Sequence, residues 1–293
     1  MGNTMPAMLI ASTWIGHPIG VAGPVGNGTR GAGMRQGSAQ AGGVPALFAS
    51  ALATDPVRPL LTYYDDATGE RTELSAEALA QWVARTANLL VRGCGLGIGA
   101  RAAVLLPPHW QTAAVLLGTW SAGVSVSFHG TATAGLPQLG PGVEEPFDVT
   151  YAALGRIDDW LDHVPEAEHR FVLGFAPDAA PLAEPPAGYR DYLTEVRDHD
   201  ANLRPYVPLH PDDAASVDGT SYAEWGRLAR LMATEVFDLR PGDRVLVDAA
   251  EHEHPVKWLL APLAAGASVV LCANLDPGTV QRRTRDERVT RVL

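Results

Sequence analysis

A helix–strand–helix–strand order over residues 79–127 returns 143 positions later, over residues 222–270, and this repeat limits the chain to few architectures. In the first block Leu79, Trp82, Val83, Thr86 and Leu90 mark one helical face, capped by Ser75, begun with Glu77 and ended by Gly93. Ala102-Ala103-Val104-Leu105-Leu106 is an apolar run of buried-strand length, stopped by Pro107-Pro108. Residues 109–121 continue as a helix, and Val124-Ser125-Val126 follows Gly123 as a short strand. The second block opens on the capping box Ser221-Tyr222-Ala223-Glu224. Its helical face is Trp225, Leu228, Ala229, Met232 and Val236, and Val245-Leu246-Val247 is its first strand. Laid over each other without a gap, the blocks share 13 identities in 49 positions, above chance for a chain rich in Ala, Leu and Gly. Trp82 meets Trp225, Arg101 meets Arg244, His109 meets His252, and Ala122-Gly123 meets Ala265-Gly266. Units of this kind build parallel strands joined by right-handed crossovers. The expected fold class is α/β, with two pseudo-repeated subdomains whose mostly parallel sheets are flanked by helices.

Ahead of the first unit, Leu61-Thr62-Tyr63-Tyr64, the turn residues Asp65-Asp66-Ala67-Thr68-Gly69 and Arg71-Thr72-Glu73-Leu74 predict a hairpin. The division along the chain is a Gly-rich leader at 1–43, a first α/β subdomain at 44–135, a connecting region at 136–210 and a second α/β subdomain at 211–293. The connecting region holds a strand around Phe171-Val172-Leu173 and a short helix over 189–197. The leader has no charged side chain before Arg30, and Gly16, Pro18 and Gly20 interrupt its apolar run. It lacks the basic start of a secretory signal and reads as flexible. Met34 is an alternative start, and deleting residues 1–33 is expected to leave the melting temperature almost unchanged.

Charge narrows the function classes. A net charge of −11 disfavours a nucleic-acid or anionic-membrane surface, and no run of roughly 20 apolar residues supplies a membrane span. Two cysteines, Cys94 and Cys272, make no disulfide framework, which fits a cytoplasmic protein. Lys257 is the only lysine.

The order of these motifs resembles the N-terminal domain of the adenylate-forming (AMP-binding, acyl-CoA synthetase-like) enzymes, and a short actinobacterial group distantly similar to them. The similar residues are Gly99-Ala100-Arg101-Ala102-Ala103-Val104-Leu105-Leu106-Pro107, the junction Trp120-Ser121-Ala122-Gly123, and Pro211-Asp212-Asp213-Ala214-Ala215. Pro241-Gly242-Asp243-Arg244-Val245-Leu246 and the run from Leu260 to Ala265-Gly266 continue the match, which spans about 45–293 and is weak over 130–205. The resemblance implies a phosphate loop after Ala215, and a histidine beside an acyl pocket near His252. It makes Ser216, Gly219, Thr220 and His252 the candidate ligand-binding residues. ATP, AMP or CoA are the ligands such a site would take in that family.

The sequence departs from the pattern at the decisive place. The family's loop is a Ser/Thr/Gly run ending in Pro-Lys-Gly, whose N–H groups cradle phosphates. Here Ser216-Val217-Asp218-Gly219-Thr220-Ser221 is short, lacks lysine and carries an acid, and the family's downstream motifs and C-terminal domain lie beyond the sequence. No residue is therefore assigned a catalytic role. The expected function is a protein noncatalytic on its own that binds a small nucleotide, an acyl ligand or a protein partner, with no resident cofactor. The alternative is an acyl-CoA-ligase-type enzyme completed by a separate polypeptide.

Two further patterns are weaker. Gly93-Cys94-Gly95-Leu96-Gly97 follows a helix and opens a strand, the reverse of a dinucleotide loop, and reads as a helix end and turn. Glu251-His252-Glu253-His254 places two imidazoles in reach of zinc only if extended; it reads as turn residues before Pro255, with no metal assigned. His109 reads as structural.

Overall fold

The computed structural model describes residues 43–131, 145–157, 164–202 and 208–293. Residues 1–42 of the leader, with the alternative start at Met34, and residues 132–144 lie outside the described residues.

Helix α1 (Val44–Thr54) precedes the hairpin β1 (Pro59–Asp65) and β2 (Glu70–Ser75). Ser75 caps α2 (Ala76–Asn88) by accepting the Ala78 N–H at 3.1 Å, and Glu77 lies in the first turn, where the helix dipole favours an acid. Then come β3 (Arg101–Leu105), α3 (Trp110–Ser121), β4 (Ser125–Phe128), β5 (Phe147–Ala153), α4 (Leu154–Ile157), β6 (Ala167–Leu173), β7 (Arg190–Asp191) and α5 (Tyr192–Arg197). The second repeat supplies α6 (Tyr222–Leu231), β8 (Arg244–Asp248), α7 (Ala261–Ala265), β9 (Ser268–Ala273), α8 (Val280–Asp286) and β10 (Arg291–Val292).

The strands form two five-stranded sheets, ordered β4-β3-β5-β6-β7 and β10-β8-β9-β1-β2. Every pairing is parallel except the β1–β2 hairpin. The hairpin precedes the first repeat in the chain, yet β1 pairs with β9 of the second, Leu61 opposite Val269. The sheets therefore do not follow the linear divisions at 135 and 210.

The repeat is kept in hydrogen bonds as well as in element order. Arg101 stands opposite Ser125 in one sheet and Arg244 opposite Ser268 in the other. Ser125 N–H reaches Ala100 O at 2.9 Å, and Ser268 N–H reaches Asp243 O at 2.9 Å. Both first helices end in a π-turn, Leu89–Gly93 and Met232–Val236. Gly99 and Gly242 turn into their strands at φ +91 and +87, a backbone that L side chains adopt rarely. The core between the layers is apolar, with Leu79, Val104, Leu116, Val247, Trp258 and Leu271 buried. Helices α2 and α3 approach so closely that a Cβ on Gly118 would lie 2.5 Å from the Thr86 Cβ.

The equivalence breaks between strand and second helix. His109 caps α3 by accepting the Gln111 N–H on Nδ1 at 3.1 Å. In the second repeat His254, not His252, accepts from the residue two ahead, Val256, at 3.3 Å. The segment after β8 is longer than that after β3, and the helix it enters opens on a π-turn, Val256–Leu260. Trp82 and Trp225 both sit half-buried on their first helices, and their rings lie against Trp110 and His254 at 5.4 and 5.6 Å.

Candidate functional site

Ligands of open parallel sheets bind beyond the carboxyl ends of the strands. A cavity of about 520 Å³ lies there, shared by both sheets. Strand β1 contributes Tyr63 and Asp65, the turn after β3 contributes His109, and Phe175 follows β6. Glu253 comes from the segment after β8 and Asn274 from the end of β9.

The floor is aromatic. The His109 ring meets Tyr63 edge-on at 4.2 Å and Phe175 at 4.7 Å. Because Nδ1 accepts a backbone N–H, the proton of the neutral ring sits on Nε2. That nitrogen is buried without a hydrogen-bond partner, with Glu70 Oε1 4.0 Å away, beyond bonding range. Burial pushes the His109 pKa down to about 3, so the ring is neutral. The Tyr63 phenol is held above its ordinary range by burial and then by the charges of Asp65 and Glu70.

The rim is acidic. Asp65 Oδ1 accepts from Ala67 N–H at 2.9 Å and Asn274 Nδ2 at 2.8 Å, which fixes the carboxylate at the strand end. Glu253 Oε1 accepts the Thr131 N–H. Neither lysine nor arginine is among the described residues lining the cavity.

The loop singled out in the sequence lies elsewhere, and it is closed on itself. Ala214 and Ser221 form an antiparallel bridge, and Ser216 runs parallel to Val126 at the β4 edge. Ala215 and Ser216 N–H both donate to Thr220 O, Val217 N–H to Val126 O, and Gly219 N–H to Ser216 O. Thr220 N–H donates to Asp218 Oδ1 at 3.0 Å, and Ser221 N–H to Glu224 Oε2 at 2.9 Å. Six backbone donors of a would-be phosphate cradle are thus spent inside the chain, one of them on the carboxylate of Asp218. Trp225 Nε1 donates to Ser216 Oγ.

Ser216, Gly219 and Thr220 therefore share one turn, and His252 stands apart from them. His252 packs edge-on against Phe237 at 5.8 Å, while His254 stacks on Trp225. The two imidazoles diverge, and no group of three His, Cys, Asp or Glu among the described residues could hold a metal. The cavity residues Tyr63, Asp65, His109, Phe175 and Asn274 escaped the sequence reading. Their signal was positional, since each lies at or just past a strand's carboxyl end.

This arrangement of two mostly parallel sheets is similar in fold to the N-terminal domains of adenylate-forming acyl- and aryl-CoA synthetases. The anthranilate CoA ligase AuaEII, solved with anthranoyl-AMP, matches with a TM-score of 0.60 at 15% identity, over 85% of this chain and 48% of its own. A Mycobacterium tuberculosis fatty acyl CoA synthetase matches with a TM-score of 0.60 at 16% identity, over 84% of this chain and 48% of its own. Acetoacetyl-CoA synthetase from Streptomyces lividans gives 0.60 at 18% identity, over 85% and 42%. The chain spans about half the length of these synthetases or less. No family model matches it. A Mycobacterium tuberculosis protein described as a TIGR03089 family protein is 40% identical over 253 residues, covering 85% of this chain and 96% of the relative. The chain belongs to the TIGR03089 family. No helix among the described residues is long and apolar enough to cross a membrane.

Proposed function

We propose that this chain binds a small ligand in the cleft between its sheets and does not adenylate substrates by itself. The observation that carries this reading is the closed loop at 215–221. Adenylation needs free backbone donors and a cation to offset the charge that phosphoryl chemistry develops. The loop's N–H groups are committed to Thr220 O, Ser216 O, Val126 O, Asp218 and Glu224, so opening it for a phosphate would break several hydrogen bonds together. Lys257 lies in the π-turn behind His254, on whose carbonyl its own N–H ends at 2.9 Å. The cleft has the size and the mix of aromatic floor and sparse polar groups typical of small-molecule sites.

A ligand that binds the native state raises its melting temperature, by about 2.7 kcal/mol of stability at a hundred times Kd. Thermal shifts with Mg-ATP, AMP, CoA and acyl-CoAs should be absent, and phosphate-free small molecules should supply the hits. A Mg-ATP shift abolished by Ser216→Pro would reject the reading.

A further inference from the structure

We propose that the outer flank of α6 is an interface for a second copy of this chain, which packs its own α6 antiparallel against it. The repeat supplies the comparison. At the 143-residue offset Leu228, Leu231 and Val236 take the places of Arg85, Asn88 and Gly93, and the two π-turns coincide. In the first repeat this flank is polar and the chain closes over it. Arg85 Nη1 donates to Arg197 O at 3.0 Å, and Asn88 Nδ2 donates to Asp200 O at 2.6 Å and Asn202 O at 3.2 Å. A Cβ on Gly93 would stand 3.1 Å from the His199 ring. In the second repeat the same three positions are apolar and open, with Leu228 41%, Leu231 51% and Val236 61% exposed. The wide π-turn at Met232–Val236 brings Val236 one turn beyond Leu231, so the three side chains make one stripe. An exposed apolar stripe at the place where the other repeat is covered marks a surface closed by association.

Charge selects the second copy as the cover. Arg227 and Glu235, both exposed, stand four residues before and four residues after Leu231. Two α6 flanks crossing antiparallel at Leu231 set each Arg227 beside the partner's Glu235, twice over by the two-fold axis. At the margin Glu224 comes opposite Asp238, and both are already engaged, Glu224 by the Ser221 N–H at 2.9 Å and Asp238 by Arg291 at 2.9 Å. One pair of helix flanks is a small interface, so the dimer should be weak, with a Kd of about 10 μM.

Sedimentation equilibrium of the full chain, from about 1 to 200 μM, reads the association across that value. Leu231→Glu should weaken it about tenfold or more. Val57→Glu, at a 74% exposed apolar side chain outside the flank, should leave it unchanged. Arg227→Glu and Glu235→Arg should each weaken the dimer severalfold, and the double variant should restore it. Melting temperatures of the dilute variants separate lost association from unfolding. A chain still monomeric at about 200 μM would overturn the proposal. A dimer indifferent to Leu231→Glu, or a double variant as weak as the single ones, would overturn it too.

Discussion

Arg244, at the start of β8, donates Nη2 to Glu287 at the end of α8, and the two side chains are only 11% and 9% exposed. The same Arg244 nitrogen reaches Thr62 Oγ1 at 2.9 Å, and Arg71 and the Tyr64 hydroxyl also donate to Glu287. One carboxylate thereby ties the hairpin to the second repeat. Burial raises the Glu287 pKa, but the hydrogen bonds from Tyr64, Arg244 and Arg71 outweigh it and bring it down to about 2.

A depressed carboxylate stabilises the fold above its unfolded pKa, near 4.3, and that contribution fades as pH falls towards 2. Glu287→Gln should lower the melting temperature at pH 7 and flatten its decline between about pH 4.3 and 2. Melting curves across that range check it; an unchanged acid slope would show that Glu287 is not the group responsible.

The His109 ring works in the opposite range. Buried neutral, it must be protonated in the unfolded chain below about pH 6.5. Because its folded pKa lies near 3, stability should fall as pH drops from 6.5 to 3. His109→Ala removes that slope together with the α3 cap and the packing on Tyr63 and Phe175, at a cost of about 2–4 kcal/mol. Denaturant unfolding at pH 7.5 and 5 gives both numbers.

At Gly118 α3 packs directly on α2, with Thr86 Cβ 2.5 Å from where a Cβ would stand. Gly118→Ala improves helix propensity yet should destabilise by about 1–3 kcal/mol, because the neighbour is the root of a side chain, not its flexible end. Pairing it with Thr86→Ala removes the Cγ2 contact at 2.7 Å but keeps the Cβ contact, so Thr86→Gly should restore more of the loss than Thr86→Ala.

Much of this fold was legible in the chain, and the reason is local. The repeated Gly99 and Gly242 and the capping serines Ser75 and Ser221 act within a few residues of themselves, so their pattern survives in sequence. The β1–β9 pairing was not legible, because nothing within residues 59–75 says which sheet edge it will join. The gapless alignment set His109 on His252, whereas the longer segment after β8 gives the equivalent ring-to-backbone hydrogen bond to His254. The loop of Ser216, Gly219 and Thr220 was found from its neighbours, but its internal hydrogen bonds needed the backbone traced. The cleft needed both sheets at once, since Tyr63, His109, Phe175 and Asn274 are far apart in the chain.

Binding should leave the loop still. In amide-detected NMR, adding Mg-ATP should not move the resonances of residues 215–217 and 219–221, whose N–H groups are already engaged. A cleft ligand should shift Tyr63, His109 and Asn274 instead. Movement of the loop amides by Mg-ATP would show that its hydrogen bonds open for phosphate.

ATP–pyrophosphate exchange by the purified chain tests the central claim most directly. Losing one positioned electrostatic donor costs on the order of 10²–10³ in rate, and here a whole set of loop donors is turned inward. The chain should show no exchange above background with any fatty, aryl or amino acid. Exchange that rises above background and disappears in Lys257→Ala would contradict the account and make this chain a ligase.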